Sequence, residues 1–380
     1  MMTLLMIPIN QRSSSLCLKT VWGRGIRGLL LGVVVSCGVG GPDIAEACRL
    51  LERPSGLEEV MWVHLDGHCS SAERREMAVT GADLLAALEQ GKSVDLEGVM
   101  VAGDVMLDRL SLHPVASLPG LPLSVQEELA QRRVEKVYVI PGRIRIVAAQ
   151  FEQVFATNLS DGALVILGEV DLRESVFVQS IDLSKTIFVQ PAQFSGMRVD
   201  FEGFFIGSQF MQPVDFSQVV FGTHSRFHKA VFHDKATFAE VRFTGVAEFL
   251  EVVFLREADF SNAAFDSGTG FSGSVFHESA DFSGAVFSHE IYFRFSDFKD
   301  LAKFDGADFQ KVVDFSNARF AKPADFSGAG FSVRPEHAGS NLQLPELSPN
   351  LWRNPAIQLA IAVCLLLLVG LHYFRGGKKV

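Results

Sequence analysis

From Phe210 to Phe331 a phenylalanine recurs at alternating steps of six and five residues, beginning Phe210, Phe216, Phe221, Phe227 and Phe232. Followed backwards, the beat passes through Phe205, Val199, Phe194, Phe188, Leu183, Phe177 and Leu172. Thirty beats therefore span residues 172–331, and 27 of the chain's 33 phenylalanines sit on one. A short period held this long restricts the chain to a repeat architecture, because each unit can bury its apolar residue only against its neighbours.

An eleven-residue apolar period is also what a right-handed helical supercoil would show. On a helix, about 100° per residue turns a five-residue step through roughly 140°, so alternate phenylalanines would leave from nearly opposite sides. The helix reading therefore fails. A strand reading succeeds on a second column, since residues i and i−2 of a strand share a face. Two places before the beat stand Val214, Val219, Ser225, Ala230, Ala236, Val241 and Ala247, all small or β-branched, and the column continues so to Ala329. Polar residues lie between the columns and just after each phenylalanine, as in Ala258-Asp259-Phe260-Ser261-Asn262. Each unit is then a very short strand with a small residue and a phenylalanine inward, closed by a turn of Ser, Asn or Gly character.

Units such as Ala258–Asn262, Ala280–Gly284, Ala307–Lys311, Val313–Asn317 and Ala324–Gly328 resemble those of the pentapeptide-repeat proteins, which read roughly Ala-(Asp/Asn)-(Leu/Phe)-X-X. The resemblance implies a right-handed parallel β-solenoid of square cross-section with four units per coil. Here every second unit carries one residue more, so coils of 22 rather than 20 residues are expected, with a widened turn at two of the four corners. Thirty units make about seven and a half coils, or roughly 35 Å at about 4.8 Å per coil. Stacking by 22 puts Phe216, Phe238, Phe260, Phe282, Phe304 and Phe326 in one interior ladder. Phe227, Phe249, Phe271, Phe293 and Phe315 form the ladder across from it. Core packing accounts for these rings without any ligand.

The rest of the chain divides by composition. Residues 1–47 read as a targeting segment, in which Lys19, Arg24 and Arg27 precede an apolar stretch from Leu29 to Val39. Ala45-Glu46-Ala47 offers a cleavage site before Cys48, and Val34-Val35-Ser36-Cys37 resembles a bacterial lipobox. Cleavage, lipidation of Cys37 and retention as an anchor all stay open. Residues 48–140 form a small cap containing helices within Ser70–Gly91, a first coil over 94–110, and an inserted segment, 111–136. Ser124 and Glu127 have capping-box spacing in that insert. The main solenoid runs over 141–332. A tether with Pro335, Pro345, Pro349 and Pro355 follows over 333–355. Residues 356–374 are apolar enough for a membrane helix, flanked by Trp352 and Tyr373, and the basic residues of 375–380 favour a cytoplasmic C-terminus. The expected protein is single-pass, with its repeat domain outside the cytoplasm, periplasmic or on the cell surface. Cys48 and Cys69 make an even pair in an oxidising compartment and are a candidate disulfide.

Chemistry is sparse by comparison. His64, His68 and Cys69 have ligand-like spacing, with His113 in the same region, but no fourth zinc ligand is forced. His224, His228 and His233 fall on outward positions and could hold a metal only weakly. No phosphate-binding glycine loop and no nucleophile–base set stands out, so no cofactor, small-molecule substrate or enzymatic activity is expected. The distinctive outward feature is an acidic column of Asp215, Asp259, Asp281 and Asp325, shared with Thr237 and Lys303. Between 172 and 331 the chain has 21 acidic and 14 basic residues, within a chain net charge of −10. Direct nucleic-acid binding is therefore not expected. Some pentapeptide-repeat proteins imitate a DNA duplex and act on gyrase, a role that would need a cytoplasmic body. The expected function is a membrane-tethered structural or protein-interaction scaffold with an unknown protein partner. The gyrase-directed mimic and a weak metal-binding surface protein are the alternatives.

Overall fold

A computed structural model describes residues 48–344, apart from Pro119 and Ser160. The segments 1–47 and 345–380, and with them the expected signal, the expected span and the basic tail, lie outside the described residues. Among the described residues no helix is long and apolar enough to cross a membrane.

Two-residue strands dominate, and they stack into four sheets of 10, 11, 9 and 10 strands, here called faces 1 to 4 in the order the chain visits them. One coil shows the pattern: Val214–Asp215 on face 1, Val220–Phe221 on face 2, His224–Arg226 on face 3 and Val231–Phe232 on face 4. The next strand, Ala236–Thr237, pairs in parallel with Val214–Asp215. The fold is a parallel β-solenoid about eleven coils tall, with 22 residues per coil from about residue 164 onward. Because every strand but those at the two ends bonds to the coil before and the coil after, backbone polarity is satisfied along the axis.

The sheets run beyond the thirty beats at both ends. Val60–His64 pairs with Ser93–Glu97, which pairs with Ile144–Val147 on face 1, so coils form where no phenylalanine marks them. The register offset there is 33 and then 50 residues, because helices are inserted between strands. Helix α1 (Ser71–Glu76) starts at a reciprocal capping box between Ser70 and Glu73. Helix α2 (Gly81–Glu89) is capped by Thr80 and places Leu84 and Leu88 on the same core as the first strands. The insert after Met106 returns through Leu112–Pro114, which pairs antiparallel with Lys136–Ile140, and contains helix α3 (Leu123–Gln131). That helix begins at Pro122 and no side chain caps it, so Ser124 and Glu127 do not form the expected capping box. It lies on the outside of face 4, where Val125 and Leu129 pack with Val165, Ile187 and Val189.

At the far end Asp314 pairs with Glu336, and Leu342 is buried one register beyond Phe320. The coil thus continues into the stretch expected to be tether. Asn341 closes face 4: its Oδ1 accepts from the Phe320 amide at 2.9 Å, and its Nδ2 donates to the Phe320 carbonyl at 2.8 Å. One side-chain amide stands where the next strand would pair.

The corners alternate in kind. A left-handed residue recurs every eleven positions, two after each face 1 or face 3 phenylalanine, as at Gln218, Lys229, Glu240, Glu251 and Asn262. Each falls inside the five-residue step, and the Phe227 carbonyl accepts from Ala230 N at 3.0 Å across such a corner. A positive φ at the third residue of a four-residue turn is the type II geometry, which lets the chain round the corner in fewer residues. The six-residue steps round theirs without it.

Candidate interaction face

The inward residues serve packing alone. Phe216, Phe227, Phe238, Phe249, Phe260, Phe271, Phe282, Phe293, Phe304 and Phe315 are all buried, and Phe326 at the end nearly so. Rings 22 residues apart stack nearly parallel, with Phe238 and Phe260 at 4.7 Å and Phe227 and Phe249 at 4.7 Å. The face 1 and face 3 ladders also interlock edge to face, with Phe227 and Phe238 at 5.5 Å. Both arrangements suit the ring quadrupole. Phe320 lines a small hollow at the end of the rod, and along its length the outward side chains are what a partner can reach.

Face 1 carries the acidic column. Asp215, Thr237, Asp259, Asp281, Lys303 and Asp325 follow one another in register. The aspartates act locally: Asp215, Asp259, Asp281 and Asp325 each accept from the backbone amide two residues on, at 2.8–2.9 Å. These Asx turns hold the corners. Lys303 bonds Asp281 at 3.0 Å. The Asp325 carboxyl is held below its ordinary pKa by the Ser327 hydrogen bonds, with a smaller contribution from Lys303. The column is therefore engaged in the fold rather than a bare strip of negative charge.

The candidate metal residues separate. Cys69 is bonded to Cys48 in a disulfide, which removes its sulfur from any ligand set. His64 pairs with Asp95 at 2.8 Å, and His68 bonds Asp66 at 2.9 Å. Asp95 also joins Arg145, which bridges to Glu97, forming a charge network on face 1. His233 lies on face 4 against Gln209, whereas His224 and His228 meet on face 3. No group of three or more ligand-type residues able to hold a metal occurs among the described residues.

Face 3 is the unusual one. Within the 22-residue coils the exposed large hydrophobic side chains lie on it or its corners, Phe201 at 52%, Val246 at 39%, Tyr292 at 36% and Phe295 at 66% among them, whereas Leu112 and Leu123 are exposed on the face 4 insert. Two charge clusters flank them. One oxygen of Glu248 receives His224 Nε2 and Arg226 Nε, each at 2.9 Å, with His228 Nε2 at 3.8 Å. Burial pushes His228 below the ordinary histidine value, against the pull of Glu248. Burial also works to raise Glu248, but bonds and charge from His224, His228 and Arg226 hold its carboxyl below the usual range. Across the face Arg294 pairs with the buried Asp314 and lies 4.8 Å above the Tyr292 ring. Between the clusters is a trench of about 470 Å³, floored by Gly268, Gly270 and Ser272 and walled by Val246, Glu248, Leu250, Tyr292 and Arg294.

Sequence reasoning named two histidines of this face, His224 and His228, but missed the trench. Its signal was present, because outward glycines at 268 and 270 interrupt a column that elsewhere carries side chains. A family model for pentapeptide repeats in 9 copies matches residues 205–253 and 249–297, the stretch that contains face 3 of these coils. No curated protein matches the chain.

Proposed function

We propose that this pentapeptide-repeat solenoid is a rigid, non-enzymatic scaffold that presents face 3 to a protein partner. In the same reading, residues 356–374 tether it to a membrane and residues 375–380 lie in the cytoplasm. The repeat body stands outside. The observation that carries the scaffold role is the division of labour between columns. Inward positions are consumed by ring packing, while within the 22-residue coils the exposed large apolar side chains lie on face 3 or at its corners. A contiguous apolar patch on a monomer marks an interaction site, and Val246 and Tyr292 line one trench here.

Export is supported by three features of the sequence and one contact. The basic and apolar pattern of 1–47, the apolar run of 356–374 and the basic residues after it agree in direction. The Cys48–Cys69 disulfide belongs in an oxidising compartment. Protease added to spheroplasts should digest exposed loops of the repeat body. Protection until lysis would end the export reading. No observation favours the duplex-mimic alternative, since Thr237 and Lys303 break the face 1 column and its aspartates are used by turn amides.

A further inference from the structure

We propose that the face 3 trench binds an extended segment of a partner protein, with apolar side chains at alternate positions and a basic residue at one flank. This rests on the scaffold reading and gives its partner a chemistry.

The glycines of the floor are not explained by the backbone. Gly268 and Gly270 do not have positive φ, unlike Gly273 one corner later. A Cβ at Gly268 would meet nothing within 4 Å, and one at Gly270 would meet only the Leu250 side chain at 3.1 Å. By contrast, a Cβ at Gly245 on the neighbouring corner would strike the Thr223 carbonyl at 2.0 Å. Steric need therefore accounts for Gly245 and not for Gly268. What Gly268 contributes is an absent side chain.

The shape of the gap selects its complement. Positions 268, 270 and 272 point outward alternately along one coil, so one row of side chains is missing or small. The flanking rows, Val246-Glu248-Leu250 and Glu290-Tyr292-Arg294, sit two coil spacings apart, about 10 Å. A strand laid along the coil has its own side chains at i, i+2 and i+4, the same spacing as the vacant row. It can fill the trench by interdigitation, whereas a helix is too wide to enter.

Charge decides the side chains. Glu248 is already paired with His224 and Arg226, and Arg294 with Asp314. A charged group entering the trench would lose hydration and gain no free counter-charge. Val246, Leu250 and Tyr292 instead offer apolar contact. Glu290, at one end of the row, has no cation among the described residues nearer than His289 Nδ1 at 4.0 Å and is half exposed. It can receive a lysine or arginine at that flank.

The test uses the full chain in detergent micelles and a fluorescein-labelled nonapeptide with three alternating leucines, serines between them and a flanking lysine. Fluorescence anisotropy should give saturable binding. Gly268→Leu should weaken it at least tenfold at unchanged thermal midpoint. Tyr292→Ala, an exposed wall position, gives an independent loss should the first variant fold poorly. Glu290→Lys should weaken the lysine peptide and strengthen one carrying glutamate instead. Equal affinity in wild type, Gly268→Leu and Tyr292→Ala, or preference for an isomer with consecutive leucines, would overturn the proposal. So would binding of a neutral oligosaccharide, rather than the peptide, that Gly268→Leu abolishes. A protein partner that Gly268→Leu still retains would sink the trench and leave the scaffold standing. Shielding of the repeat body in spheroplasts would instead sink export and leave the peptide titration to decide the trench.

Discussion

Truncating Phe249 to alanine should be among the costliest single changes the molecule can suffer. The ring is fully buried and stacked on Phe227 at 4.7 Å and Phe271 at 4.6 Å. It also meets Phe238, Phe243 and Phe260 edge to face at 5.4–5.7 Å. Phenylalanine-to-alanine changes in cores cost about 3–5 kcal/mol, and the cost rises where the surroundings cannot collapse. Here each neighbour is fixed by its own coil's strand pairing, so about 5 kcal/mol is expected. Phe326 is the control. Among the described residues it has one stacked partner, Phe304 at 4.9 Å, and it ends the described face 1 ladder with 5% of its surface exposed. Its truncation should cost about 2–3 kcal/mol, largely as fraying of the last coil. Guanidinium unfolding of both variants gives the two free energies, and amide exchange shows where each opens. Equal costs within about 1 kcal/mol, or exchange unchanged around residue 249, would refute the claim that nearest-coil ring stacking holds the rod together.

Further outcomes follow from individual side chains. Phe295 is exposed with φ +57°, while Asn317 occupies the same corner one coil later. Phe295→Asn should raise stability by about 0.5–1 kcal/mol in denaturant titration, because asparagine tolerates the left-handed region. Ser296 donates to the Phe271 carbonyl at 2.8 Å, whereas the buried Ser225 hydroxyl has no partner among the described residues. Ser296→Ala should therefore cost about 1 kcal/mol, and Ser225→Ala should be neutral or stabilising by urea midpoint. His228 and His233 are both held below the ordinary histidine value of 6.5, first of all by burial. A lowered histidine binds its proton less well folded than unfolded, so stability falls as pH drops below about 6.5. The fall in urea midpoint between pH 7 and 5 should shrink in the double variant His228→Gln/His233→Gln. An unchanged slope would assign the dependence elsewhere.

The period made the coil legible because one residue type, phenylalanine, fills nearly every inward site, and its spacing fixes both strand length and coil length. Where other residues take that site the chain hides its coils. Val94, Leu96, Ile144 and Ile146 pack the first ones at offsets set by inserted helices, and Leu342 continues a ladder past Pro335. The left-handed corners were hidden too, since Gln218, Lys229, Glu240 and Phe295 occupy positions that glycine would have announced. On the surface, the corner role of the aspartates follows from short-range Asx chemistry and could be anticipated. The trench was only half legible: the glycines at 268 and 270 stand in the sequence, but a gap in one row has meaning only once the rows on either side are stacked against it.

The alternation of two corner types has a consequence for how such a chain can change length. Eleven residues comprise one short and one long step, and the left-handed positions share that interval. Gaining or losing eleven codons leaves every downstream phenylalanine inward and every corner in its proper kind. It also carries everything downstream half a turn around the axis, so that what was face 3 emerges on the opposite side. A change of 22 slides the trench one coil along the rod without rotating it. Heredity therefore has two inexpensive moves available, a half-rotation and a translation, and any other length must first break the ladder.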